Sequence, residues 1–261
     1  MLVGVVESLW RYPVKSMRGE RLEQAYLGFS GVYGDRRYAF LSSAAPKDFP
    51  YFTAREKHSM LLERAIYRNP EKMVSPQDGS SLADGTLEIE TTAGERLPIE
   101  DPRLAELLRE GVAERHLLRL IQSEIALVDS RPISLFSLQT VRQLSVETGM
   151  ELDKRRFRAN IYADLSGAKG FVEDEWVGQK LEVGRQAVMQ VAKRNMRCKL
   201  ITLDPDSAQP SPEVMKLVAR EHQSCAGIYL TAVIEGMVSV GDSIRLVDSS
   251  FADELSGARP A

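Results

Sequence analysis

The chain has 261 residues, 43% of them hydrophobic and 27% charged, which is ordinary usage for a globular protein able to bury a substantial core. A formal net charge of -3 and a pI near 5.8 give no global positive field of the kind that holds nucleic acid, so no nucleic-acid partner is expected. Glu7, Arg11 and Lys15 interrupt the N-terminal segment and no run approaches the roughly eighteen apolar residues of a membrane span, so a cytoplasmic protein without membrane association is expected.

In chain order, Leu2 to Trp10 is β-branched and aromatic and stops at Tyr12-Pro13, which reads as a strand leaving into a loop that carries Lys15 and Ser16. Short strands are predicted at Leu22 to Leu27, Arg37 to Leu41 and Thr86 to Thr91, the last after an Asp84-Gly85 turn. Asp101-Pro102 opens a helix with Leu104, Leu107 and Leu108 on one face and Gly111 just beyond. A strand-like run from Leu117 to Val128 then reaches the loop Ser130-Arg131-Pro132, where the pattern starts afresh and a domain boundary is placed.

After that boundary, Ser137 caps a helix through about Thr148, with Gly149 as its terminator. Strands are predicted at Asn160 to Asp164, Lys180 to Val183, Ala187 to Ala192, Ile228 to Ile234 and Ser243 to Val247, and a helix runs from Ser211-Pro212-Glu213 to His222. Many short strands and few helices suggest an α+β fold, predominantly β, with a barrel-like core. The expected domains are residues 1–128, 129–248 and a frayed polar tail at 249–261.

Cys198 and Cys225 are the two cysteines, too few for a disulfide scaffold and without the C-x-x-C spacing of structural zinc. Cys198 sits in Lys193-Arg194-Asn195-Met196-Arg197-Cys198-Lys199, among four cations that favour the thiolate, the form that acts as a nucleophile or soft metal ligand. A small buried core cysteine beside a solvated basic run explains the same letters equally well. Other loop or strand-end clusters suited to an anion are Lys15-Ser16, Gly34-Asp35-Arg36-Arg37, Thr53-Ala54-Arg55 and Arg156-Phe157-Arg158-Ala159-Asn160. Cys225 and the three histidines read as structural or solvated, and Glu173-Asp174-Glu175 as a surface acidic run.

Taken together, Leu9-Trp10-Arg11-Tyr12-Pro13-Val14-Lys15-Ser16, Gly34-Asp35-Arg36, Thr53-Ala54-Arg55, Phe157-Arg158-Ala159-Asn160-Ile161, Trp176-Val177-Gly178, Arg197-Cys198, Leu203-Asp204-Pro205-Asp206 and Val240-Gly241-Asp242 form an ordered series. In it the chain resembles the MOSC family, named for the C-terminal domain of molybdenum-cofactor sulfurase, in the form with an N-terminal β-barrel domain in front. The resemblance implies a MOSC β-barrel core with peripheral helices preceded by a smaller β-rich domain.

It also implies molybdenum cofactor (molybdenum-molybdopterin), with Cys198 as the catalytic thiolate ligand of the metal and the other sulfur ligands coming from the pterin dithiolene. Lys15, Ser16 and Arg36 match positions that hold pterin and phosphate, and Arg55 lies in a matching motif. Arg158 and Asn160 match a second contact pair, Arg197 adjoins the ligand, and Tyr229 matches a late contact. Ser137 and Thr140, at a predicted helix N-terminus, would offer donors to an anion.

Family members that reduce amidoximes often carry Pro and a small polar residue where this chain has Ala159 and Met196. The implied activity is reduction of N-hydroxylated or related small-molecule substrates. Electrons would come from a separate ferredoxin, flavoprotein or cytochrome-type protein, since no cysteine series for an iron-sulfur cluster occurs here. Pyridoxal phosphate is not expected in this chain. The alternative is a non-catalytic carrier in which Cys198 bears cofactor or sulfur for a client enzyme.

Overall fold

The computed structural model describes residues 1–76, 86–112 and 116–247. The N-terminal half contains β1 (Leu2–Arg11), β2 (Glu20–Leu22), β3 (Gln24–Gly28), β4 (Gly31–Val32), β5 (Tyr38–Ser42), β6 (Tyr51–Phe52), β7 (Arg64–Tyr67), β8 (Leu87–Glu90), β9 (Arg96–Pro98), α1 (Pro102–Arg109) and β10 (Leu118–Gln122). There follow β11 (Ile133–Ser137), α2 (Leu138–Thr148), β12 (Ile161–Asp164), β13 (Lys180–Val183), β14 (Ala187–Met196), α3 (Pro212–Glu221), β15 (Cys225–Ile234), β16 (Gly236–Ser239) and β17 (Ser243–Val247).

Seven strands close into a barrel in the order β12, β11, β15, β14, β13, β17, β1, with β1 pairing back onto β12. The parallel pair β11 and β12 is bridged by α2, and the remaining barrel pairs are antiparallel. β1 can make the closure because it is long and bulged: its start pairs with β17, its middle with β12 and Leu9 to Arg11 with β2. At Gly4 a Cβ would stand 2.4 Å from the Asp164 carbonyl oxygen, so a side chain there would push the closing strands apart. Inward-facing Val6, Leu9, Leu135, Ile161, Met189 and Ile228 belong to one buried core.

The N-terminal half forms smaller three-stranded sheets, β10-β5-β6 and β7-β8-β9, around Phe40, Phe52, Met60, Leu87 and Ile89. A further sheet joins β3 and β4 to β16, which arrives from the far end of the chain. The boundary near residue 128 falls in the loop between β10 and β11, yet β1 is a stave of the later barrel and β16 returns to β3. The two halves are therefore interleaved in space.

Helix ends follow local chemistry. Asp101 accepts from the Arg103 amide at 2.9 Å to start α1, and Ser137 Oγ accepts from the Thr140 amide at 3.0 Å to start α2. Gly149, at φ 66°, takes the left-handed turn that ends α2. α2 and α3 cover a third apolar cluster that includes Phe136, Leu144, Phe157, Val214 and Val218.

The fold is thus predominantly β, with three α-helices among the described residues. The expected strand at Leu22 to Leu27 is broken at Glu23 into β2 and β3. The Leu117 to Val128 run pairs only through β10; Leu127 instead donates its amide to Arg36 O at 2.9 Å, where apolar composition yields to a loop fastened by tertiary contacts. β14 and β15 are longer than expected and carry pairing up to Met196 and Cys225, so the basic segment lies on the barrel rim. Among the described residues no helix is long and apolar enough to cross a membrane. The Asp84-Gly85 turn and the tail from 249 lie outside the described residues.

Candidate functional site

After β1 the chain turns at Tyr12-Pro13, and this turn is fixed by the Tyr12 amide donating to Asp35 Oδ1 at 2.7 Å and the Lys15 amide donating to Tyr38 O at 2.8 Å. Lys15 and Ser16 are held buried, with Ser16 at φ 68°. Lys15 Nζ donates to Leu127 O at 2.9 Å, pairs with Asp129, and lies 4.6 Å from the centre of the Tyr51 ring. Burial lowers the Lys15 pKa, against the opposing pull of Asp129.

Arg36 and Arg158 approach the same aromatic ring. Their guanidinium carbons stand 4.7 and 4.4 Å from the centre of Tyr12, and Arg36 Nη2 donates to Arg158 O at 3.1 Å. Both residues have left-handed backbones, φ 46° and 50°, which turn their side chains toward a common cleft. Arg36 is paired with Asp35, whereas Arg158 Nη2 is buried without a hydrogen-bond partner. Burial, with Arg36 nearby, brings the Arg158 pKa down to about 10.

Cys198 follows the end of β14 and is half-buried. Its Sγ accepts from Arg55 Nη2 at 3.3 Å, and Arg55 also donates to Asp129 at 3.2 Å and lies over Phe49. Arg197 donates to Ala226 O at 2.7 Å and Phe157 O at 2.8 Å, and burial lowers its pKa. With its amide oriented to suit both neighbours, Asn195 donates to Tyr229 Oη at 3.1 Å and accepts from Arg197 Nη2 at 3.3 Å. Asn160 Oδ1 accepts from Ser134 Oγ at 3.1 Å, and its Nδ2 donates to Trp10 O at 3.3 Å, so this side chain ties β1 to β11.

These groups surround one solvent-open cleft with about 810 Å³ of empty space. Lys15, Ser16, Arg36, Arg55, Arg158, Asn160, Arg197, Cys198 and Tyr229 all line it. So do Arg131 and Arg156; among the described residues this makes seven cationic side chains on the cleft, with Asp129 as the lining carboxylate and with Asp35 and Asp204 pairing with Arg36 and Arg156 from behind. Such an excess of fixed positive charge in a concave site favours a polyanionic ligand. Among the described residues no group of three or more His, Cys, Asp or Glu is placed to hold a metal ion, so a metal at Cys198 has to arrive with further ligands of its own.

Ser137 and Thr140 stand apart from this cleft. Ser137 Oγ donates to Glu173 Oε2 at 3.0 Å and Thr140 Oγ1 donates to Glu173 Oε1 at 2.8 Å. The acceptor at the N-terminus of α2 is therefore the carboxyl of the protein's own Glu173, which is 0% exposed and whose pKa is raised by burial. This also corrects the reading of Glu173-Asp174-Glu175 as a surface run: Glu173 is interior and Asp174 is bonded by Arg194 at 2.7 Å. Cys225 is buried, His116 contacts Ser42 Oγ and His222 contacts Glu147, as structural roles require.

Sequence reasoning did not single out Asp129, Arg131, Phe49 or Asn195. Asp129 and Arg131 belong to the loop read as a domain boundary, and their only local signal is charge beside a turn. Arg156 was visible beside Arg158; it donates to Thr202 O at 2.7 Å and Asp204 at 3.0 Å, fastening the segment that follows Cys198.

The MOSC N-terminal beta barrel domain matches residues 3–105, and the MOSC domain matches residues 122–245. The chain is 25% identical over 284 residues to mitochondrial amidoxime reducing component 2 of Macaca fascicularis, covering 93% of this chain and 83% of that protein. It is 27% identical over 129 residues to molybdenum cofactor sulfurase of Drosophila ananassae, covering 47% of this chain and 16% of that one. The crystal structure of the YUAD protein from Bacillus subtilis aligns with a TM-score of 0.47 and 13% identity, over 92% of this chain and 93% of the other. With both domain matches falling on the described barrel and the region before it, this chain belongs to the MOSC family, in the form that carries the MOSC N-terminal beta barrel domain.

Proposed function

We propose that the cleft holds molybdenum cofactor, with Cys198 Sγ as a ligand of the metal, and that the protein reduces N-hydroxylated or related N-oxygenated small molecules. A molybdenum-cofactor-related function accords with the MOSC domain and with relatives named amidoxime reducing component and molybdenum cofactor sulfurase. The observation that carries the reading is the convergence of seven cations on the cleft that presents the Cys198 thiol, with Arg158 Nη2 buried and unpartnered. An orphaned guanidinium nitrogen in such a place fits an oxyanion acceptor.

Lys15, Ser16, Arg36 and Arg158 would hold the anionic and pterin parts of the cofactor, while Arg197 and Tyr229 would brace the wall beside the metal ligand. Asn160 would keep β1 and β11 in register beneath them. When bound, the cofactor would supply two-electron redox chemistry that these side chains lack. Arg55 would hold the Cys198 sulfur in place by donating to it. Reduction of an N–O bond consumes two electrons and two protons and releases water; the electrons would come from a separate electron-transfer protein of ferredoxin, flavoprotein or cytochrome type.

The test is the molybdenum and fluorescent pterin content of protein purified from a host that makes the cofactor. Near-stoichiometric metal in wild type, with a large loss in Cys198→Ala, is expected. Absence of both metal and pterin from wild type would overturn the proposal. The open cleft, with Met196 72% exposed on its wall, also suits a carrier that hands its cofactor to a client. Turnover of benzamidoxime by loaded protein with an artificial electron donor separates reductase from carrier.

A further inference from the structure

Among the described residues Asp129 is the one carboxylate lining a cleft of seven cations, and it is engaged with two of them. Oδ1 pairs with Lys15 Nζ, and Oδ2 accepts from Arg55 Nη2 at 3.2 Å. Arg55 is the residue that also donates to Cys198 Sγ. The other acids near these cations act differently: Asp35 braces Arg36 and Asp204 braces Arg156, and neither lines the cleft. Asp129 therefore puts negative charge where a bound anion would need to put its own.

The two ends of the Lys15–Asp129 pair are unequally buried. The Lys15 side chain is 7% exposed and the Asp129 side chain 42%. Asp129 is the solvent-facing end of the pair, whereas Lys15 is held by Leu127 O and by the ring of Tyr51. A buried ammonium stripped of its counter-charge is expensive, so Asp129 leaves only when another anion takes over. A monoanion such as acetate merely exchanges one carboxylate for another. A dianion that reaches Lys15 and Arg55 together makes the exchange favourable.

We infer that Asp129 is an internal counter-anion that occupies the seat of the ligand's phosphate, and that this seat admits a phosphomonoester-like dianion while excluding monoanions. The inference rests on the cleft being the anion cradle proposed above, and it assigns Asp129 as the residue that sets anion selectivity. Asp129 is a positioning residue here: it acts through Lys15 and Arg55, not on reacting atoms.

The experiment is isothermal titration of the full chain, produced in a host that makes no pterin cofactor, with inorganic phosphate and with acetate. Wild type is expected to bind phosphate and to give no measurable heat with acetate. Asp129→Asn should bind phosphate about tenfold more tightly and acquire acetate binding, as loss of a charged competitor requires. In an Arg55→Ala background the gain from Asp129→Asn should fall below about threefold, because the competition runs through that contact. Thermal melts provide a second readout: Asp129→Asn should melt lower than wild type without phosphate and recover more with it.

Unchanged or weaker phosphate binding in Asp129→Asn would overturn the inference, as would a gain that persists undiminished without Arg55, or no phosphate binding by either protein. Equal phosphate affinity in wild type and Asp129→Asn would remove the counter-anion role and leave the cofactor content of the purified protein, and hence the proposed function, standing.

Discussion

Arg55 and Cys198 are 143 residues apart in the chain, yet the Arg55 guanidinium donates to the Cys198 sulfur at 3.3 Å. The contact joins the loop after β6 to the end of β14 and so couples the two interleaved halves at the cleft. Burial opposes the charge on Arg55, but Cys198 and Asp129 outweigh it and hold its pKa above the ordinary value. Arg55→Ala in the cofactor-free protein is expected to slow alkylation of Cys198 by iodoacetamide at neutral pH by about tenfold, with Arg55→Lys in between. Peptide mass spectrometry reads the rate, and buried Cys225 serves as the internal control. An unchanged rate in Arg55→Ala would show that the sulfur does not depend on this donor.

Glu173 couples stability to pH. Burial raises its pKa, and the hydrogen bonds from Thr140 and Ser137 only partly offset this. A carboxyl whose folded pKa is raised stabilises most below the ordinary glutamate range and loses that contribution as pH rises through the raised value. Urea denaturation should therefore show wild type losing more stability than Glu173→Gln between about pH 5 and pH 8. Glu173→Ala should cost about 2–3 kcal/mol, because it strands the two hydroxyls and opens a cavity. Parallel pH profiles for wild type and Glu173→Gln would contradict the assignment.

Arg156 fastens the chain that follows Cys198. Its side chain is 6% exposed and reaches Thr202 O and Asp204, the latter side chain 33% exposed. Arg156→Ala should lower stability by about 2 kcal/mol, since one partner of a largely buried charged set is lost. Hydrogen exchange at residues 199–204 should rise more than exchange in the barrel strands. A uniform rise across the molecule would mean that Arg156 supports the fold at large and not this segment.

The barrel needs its first strand. β1 pairs with β12, β17 and β2, and Val6 and Leu9 lie in the barrel core. A fragment beginning at residue 129 lacks that stave and should show poorly dispersed amide NMR signals; adding the peptide of residues 1–22 should restore dispersion in part. Within the whole chain, Leu9→Ala should cost about 2–4 kcal/mol. A cooperatively folded fragment without the peptide would contradict the role given to β1.

Helix ends were legible in the sequence because their chemistry is local: Asp101, Ser137 and Gly149 act on amides and carbonyls within one turn. Lys15, Arg36, Arg158 and Cys198 were legible as a resemblance-bearing series, and the fold brings them to one cleft. Barrel closure was not legible, because the pairing of Val6 with Ala163 depends on strands far apart in the chain. The sequence shows a helix start at Ser137 but not that Glu173 fills it, since an acidic triplet looks solvated until the fold buries its first member. Asp129 and Phe49 lie in loops, where no periodicity marks a side chain as facing a site.

The claim that most needs testing is the sulfur–metal bond at Cys198. Molybdenum K-edge X-ray absorption on cofactor-loaded wild type and Cys198→Ser counts the sulfur neighbours of the metal directly. A protein thiolate ligand predicts one sulfur fewer in Cys198→Ser, with the dithiolene sulfurs retained. An identical sulfur count in the two proteins, at equal molybdenum occupancy, would contradict it.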